Sequence, residues 1–241
     1  MVGTLINIVA VLVGGTLGTL LGARLPEKMR DTVMSGLGLV TLALGLSMAL
    51  QSQNLLIVMG SVLVGGLLGE WWRIEDGLNA VGHWLEARFG RPDDAAAGRS
   101  VTRAFVTTSL LFCVGPMTIM GSLLDGLTGD YQLLAIKSLL DGFASLAFGA
   151  SLGPGVLFSA VTILVYQGGL SLAAQAFGAN LAGIQADNPA VVEMTATGGV
   201  LIMGIALILL NLKRIRISNF LPAIAIAPLV VILLRKLGVA W

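Results

Sequence analysis

The sequence predicts an all-α membrane protein of about eight transmembrane helices. Three observations carry that reading: apolar content beyond that of a soluble body, apolar stretches long enough to cross a bilayer, and basic loop residues confined to one side. Of the 241 residues, 56% are hydrophobic and 11% charged, with a mean hydropathy of +0.93. A soluble domain carries about 25% charged residues, so lipid must solvate much of this chain. A net charge of +1 offers no electrostatic footprint for nucleic acid. Cys113 is the single cysteine, which leaves no intramolecular disulfide and no thiolate cluster. The opening Met1-Val2-Gly3-Thr4 lacks the basic start of a secretory signal, so the first apolar segment is expected to be retained.

Apolar stretches that reach or approach the length needed for a ~30 Å hydrocarbon core fall at 4–23, 33–50, 54–69, 104–124, 132–152, 155–177, 192–211 and 218–234. Eight spans put eleven basic residues on one side: Arg24, Lys28, Arg30, Arg73, Arg88, Arg91, Arg99, Arg103, Lys213, Arg214 and Arg216. The other side has Arg235 and Lys236, and Lys137 lies within a span. The positive-inside rule then expects a bacterial cytoplasmic membrane with both termini outside.

Between spans three and four, Trp71, Ile74, Leu78, Val81 and Leu85 recur at helical spacing, opposite Glu75, Asp76, Asn79 and Glu86. An amphipathic helix on the cytoplasmic surface is expected there, anchored by Trp71, Trp72 and Trp84. A linker over 91–103 divides the one membrane domain into 1–90, spans one to three with the surface helix, and 104–241, spans four to eight.

Four pairs of spans share patterns. Gly38–Leu46 resembles Thr197–Ile205, and each is followed by a polar break and an Asn, Asn54 or Asn219, that opens the next span. Gly14-Gly15 matches Gly168-Gly169, and Ser109-Leu110-Leu111 matches Ser138-Leu139-Leu140. The pairings are one with six, two with seven, three with eight and four with five. Each joins an odd to an even span, so the predicted repeat is inverted, an arrangement that places transporter sites near midplane. Small-residue ladders at Gly14/Gly18/Gly22, Ser61/Gly65/Gly69 and Ser145/Gly149/Gly153 are expected to be packing seams.

Gly65–Glu70, Phe112–Pro116, Gly126–Asp130, Lys137–Asp141 and Tyr166–Gly168 resemble the bacterial membrane family catalogued as domain of unknown function 554, across nearly the whole chain. That resemblance implies membership without an activity. The run Ser138–Ala144 is also similar to one half of the manganese-efflux transporters of the lysine-exporter superfamily, which carry an intramembrane Asp in each of two inverted units. Here Asp141 matches one such residue, and Phe112 stands at the matching position in span four.

Asp141 lies about nine residues into span five, hence roughly 14 Å deep at 1.5 Å per residue, where an ionisable group is by default a functional hypothesis. Lys137, at i−4, is expected to tilt outward and snorkel as an anchor, so Asp141→Asn would alter flux rather than stability. Gly115-Pro116 in span four, and Pro222 and Pro228 in span eight, interrupt helical hydrogen bonding. The expected path comprises Asp141, Lys137, Gly115, Pro116, Asn7, Gln167 and Asn219. Asp125 and Asp130 are read as bracketing an outer loop, and His83 has no second His or Cys beside it.

The function this predicts is a transporter or channel for a small solute or ion, a cation among the candidates, with lipid as its surroundings. A scaffold or sensor working through the surface helix is the alternative. An intramembrane aspartyl enzyme from Asp130 and Asp141 is a lesser one, since no Ser–His or His–metal set is present. No cofactor motif occurs, the metal question is open, and glycine-rich faces would also suit a homodimer.

Overall fold

A computed structural model describes residues 1–22, 26–90, 100–181 and 187–238. The predicted linker lies outside the described residues as far as residue 99. The described residues form ten α-helices: α1 (Val2–Gly22), α2 (Glu27–Ala49), α3 (Leu55–Trp72), α4 (Ile74–Phe89), α5 (Val101–Val114), α6 (Pro116–Leu127), α7 (Gln132–Leu152), α8 (Ser159–Leu181), α9 (Pro189–Leu209) and α10 (Pro222–Lys236). Short 3-10 turns, Pro154–Phe158 and Ile217–Phe220, lead into α8 and α10. Seven helices are long and apolar enough to cross a membrane, and α5 with α6 makes an eighth if that pair, bent by 62°, is one span.

The bend has a chemical cause. Pro116 carries no N–H, so the carbonyl of Phe112, four residues earlier, loses its helical donor. The Thr118 hydroxyl donates to that carbonyl at 2.9 Å, so the freed acceptor stays covered by protein, as an apolar interior requires.

The chain folds into two compact units that interleave along the sequence: Met1–Leu37, Asn79–Cys113 and Met117–Gly183 in the first, Gly38–Leu78, Val114–Pro116 and Ile184–Trp241 in the second. In the first unit, α1 and α7 lie side by side and parallel. A Cβ on Gly14, Gly18 or Gly22 would run into the backbone of Gly142, Leu146 or Ala150 respectively. Each glycine thus meets the next turn of α7, and Gly149 of α7 sits in return against Gly15 and Gly18. Backbones this close exchange Cα–H···O contacts and dispersion, the main attractions left to helices in lipid. Two of the three predicted ladders therefore form one seam. The third, Ser61/Gly65/Gly69, packs in the second unit, with Gly65 against Ala223 and Gly69 against Asn219.

Close contacts give the helix directions within each unit. In the first unit α8 runs antiparallel to α1, with Gln167 beside Thr4 and Leu157 beside Gly15. In the second, Gly38 meets Leu210 and Gly45 meets Met203, so α2 and α9 are antiparallel. Gly65 meets Ala223 while Ile57 packs with Val231, so α3 and α10 are antiparallel too. A parallel α1 and α7 require an even number of reversals between them. Crossings by α2, α3 and the bent α5–α6 pair would supply it and make eight spans, against the seven left if that pair is re-entrant.

Helix α4 departs from the expected orientation. Leu85 packs with Val101 and Phe105 as predicted for the apolar side. Two acids assigned to the solvent side instead face protein. Glu86 accepts a hydrogen bond from the Thr102 hydroxyl at 2.6 Å, and Glu75 accepts one from the Ser218 N–H at 3.0 Å. Val81 and Trp84 are exposed. The reason is local: the helix docks on polar chain ends at both of its termini, and their unpaired donors attract the carboxylates.

Candidate functional site

Five polar side chains from three helices meet inside the first unit. Asn7 and Thr4 come from α1, Lys137 and Asp141 from α7, and Gln167 from α8. Thr4, Asn7 and Gln167 are fully buried, and Lys137 and Asp141 nearly so. The Asn7 amide donates to Asp141 Oδ2 at 2.9 Å and to Gln167 Oε1 at 3.0 Å. The Gln167 amide in turn donates to the Thr4 hydroxyl at 3.3 Å. Lys137 Nζ forms an ion pair with the same Asp141 Oδ2 and stands 6.0 Å from the centroid of the Phe112 ring. An ionised carboxylate accepts only, which fixes the Asn7 amide with its N–H₂ toward Asp141. The orientation of Gln167 follows from that of Asn7.

The pair corrects the expectation for Lys137. The side chain is neither an outward anchor nor exposed; only 6% of it is accessible. Helical tilt does favour the outward direction, but an ammonium or carboxylate left alone at this depth costs several kcal/mol. That exceeds the cost of bending the four-carbon stem back by one turn. The expectation that Asp141→Asn would spare stability falls with it.

Of the other predicted path residues, Gly115 and Pro116 mark the break between α5 and α6 and are grouped with the second unit. Asn219 also lies in the second unit. Its amide donates to Glu70 Oε2 at 2.6 Å, and its carbonyl oxygen accepts from the Glu75 N–H at 2.7 Å. Arg216 completes that cluster by pairing with Glu70 at 2.6 Å. Asp125 is not a loop residue: it lies in the last turns of α6, buried, with its carboxylate 2.9 Å from the Met1 amine. Asp130 is exposed and accepts from the Gln132 N–H at the start of α7. Among the described residues no group of three or more His, Cys, Asp and Glu is positioned to hold a metal ion.

Sequence reasoning missed Glu193. It lies near the start of α9 with no accessible surface. Its carboxylate accepts from the Ser52 hydroxyl at 2.8 Å and from the N–H groups of Gln53 and Asn54 at 2.7 and 2.9 Å. The polar break after span two is thus held by a carboxylate from α9, as Glu75 holds the break before α10. A lone acid near the end of an apolar span, with no base at helical spacing, was the available signal. Glu193→Ala would remove the shared acceptor of two backbone donors and one hydroxyl, and a net hydrogen bond is worth about 0.5–1.5 kcal/mol. A fall in melting temperature for Glu193→Ala, reduced in Glu193→Gln, is the expected result by thermal unfolding in detergent.

Long apolar helices, antiparallel interleaving and a charged, hydrogen-bonded centre define a polytopic helical membrane protein. Residues 2–232 match the family described as "Protein of unknown function (DUF554)", and the chain belongs to that family. It is 32% identical over 241 residues to "Uncharacterized protein YqgA" of Escherichia coli (strain K12), covering all of this chain and 97% of the relative. It is 28% identical over 245 residues to "Uncharacterized membrane protein YdfK" of Bacillus subtilis (strain 168), covering both chains in full. No solved structure matches it.

Proposed function

We propose that this protein carries a small solute or ion across a bacterial cytoplasmic membrane, with the Lys137–Asp141–Asn7–Gln167 chain as its central site. The observation that carries the reading is the burial of an ion pair and two amides where three spans meet. Apolar residues of similar volume would serve stability as well or better, so retaining ionised groups at that depth calls for a function. Antiparallel packing of three sequence-related pairs, one with six, two with seven and three with eight, supports an inverted repeat. Solute-driven swelling of proteoliposomes, read by light scattering across small ions and polar solutes, tests transport. Protein-dependent permeation of at least one solute that fails in Asp141→Asn is expected; equal swelling with and without protein for every solute would overturn it.

The ion pair also favours a second reading, in which Lys137 and Asp141 only lock α7 against α1 in a scaffold or sensor. That reading demands no flux.

Sidedness belongs to the proposal as well. Single cysteines at Ala95 and Ala240 in a Cys113→Ser background are expected to react with an impermeant thiol reagent from opposite sides. Labelling from the same side would contradict the orientation.

A further inference from the structure

The hydrogen bonding at Asp141 is lopsided. Both Lys137 and Asn7 reach Oδ2, and among the described residues no hydrogen bond reaches Oδ1. Asn7, itself fully buried, has its carbonyl oxygen without a partner. That orphan is a consequence of the carboxylate: Asp141 demands the amide N–H₂, and Gln167 takes the second N–H. Buried acceptors are nearly always satisfied, and an exception calls for an explanation. Asn7 Oδ1 is such a buried exception, and beside it Asp141 Oδ1 is free of partners without being fully buried, so both acceptors stand open near one ammonium. Each is geminal to an atom of the Asn7–Asp141 hydrogen bond, so they are no more than about 7 Å apart, within reach of one small ligand.

Charge decides which ligand. The Lys137–Asp141 pair is neutral as a whole. A bare cation at the free acceptors would set two positive charges against one carboxylate. A bare anion would meet two acceptor oxygens and find only Lys137 favourable. A molecule carrying both charges leaves nothing uncompensated: its ammonium donates to Asp141 Oδ1, on the side where Asn7 Oδ1 also stands free, and its carboxylate accepts from Lys137. We propose that this site takes a small zwitterion, a primary ammonium joined to a carboxylate, as in a neutral amino acid. The inference rests on the transport reading and names its substrate class.

Counterflow tests it. Proteoliposomes preloaded with unlabelled glycine and diluted into labelled glycine are expected to accumulate label transiently above protein-free liposomes. Excess L-alanine or L-serine should suppress the uptake, while methylamine and acetate, each carrying one of the two charges, should not. Lys137→Gln should lose the exchange, because no cation then receives the carboxylate. Competition by methylamine equal to that by L-alanine would overturn the zwitterion. So would an absence of glycine exchange in liposomes where sodium or manganous ion moves in an Asp141-dependent way; transport would then stand and its substrate class would not. If none of these solutes moves, the zwitterion fails, and the swelling assay across all solutes decides whether transport fails with it.

Discussion

Asp141→Asn is expected to lower stability by about 3–5 kcal/mol, because it strands the Lys137 ammonium, which pairs with no other acid among the described residues. For a chain of this size each kcal/mol shifts the melting temperature by about 2–4 °C, so a fall of roughly 10 °C should be visible by thermal unfolding in detergent. Lys137→Gln strands the carboxylate instead. Its loss should be smaller, since Asn7 still donates to Asp141 Oδ2. The double change, Lys137→Gln with Asp141→Asn, removes both charges and leaves two amides able to pair. It should recover most of the stability. A double mutant as unstable as the sum of the singles would mean that the two residues are not coupled.

Gly18→Leu should be worse. In the parallel α1–α7 seam a Cβ at position 18 already meets the backbone of Leu146, and backbone cannot move aside as a flexible side-chain end can. Overpacking a core costs about 1–3 kcal/mol and sometimes more, and here a whole isobutyl group must push α1 and α7 away from each other. The separation would also pull Asn7 away from Asp141, since both lie along the same seam. The expected outcome is little folded protein by size-exclusion chromatography. Gly169→Leu is the control: it lies in the same unit, and a Cβ there meets nothing within 4 Å. Equal yields for the two variants would contradict the seam.

The positions of the apolar spans, the break at Gly115-Pro116 and the small-residue ladders were legible in the sequence, because each depends on local pattern. Apolar length is set by bilayer thickness, and a proline removes its N–H wherever it stands. Asp141, Asn7 and Gln167 were also legible as polar residues inside apolar spans. What Lys137 does was not. Its direction depends on the acceptors that α1 brings alongside α7, and Asn7 is 134 residues from Asp141 along the chain. Glu193 escaped for the same reason, since the donors it satisfies lie in the break at residues 52–54. Helix α4 was read from its own periodicity, which cannot reveal that Glu75 and Glu86 meet donors from distant segments.

The most direct test of the central claim is flux through the Lys137→Gln, Asp141→Asn double mutant once its melting temperature has been found close to that of the unaltered chain. A site built for transport needs the charges themselves, so a folded, neutral double mutant reconstituted at equal density should lose protein-dependent permeation. Flux equal to that of the unaltered protein would make the buried pair a structural lock and contradict the account.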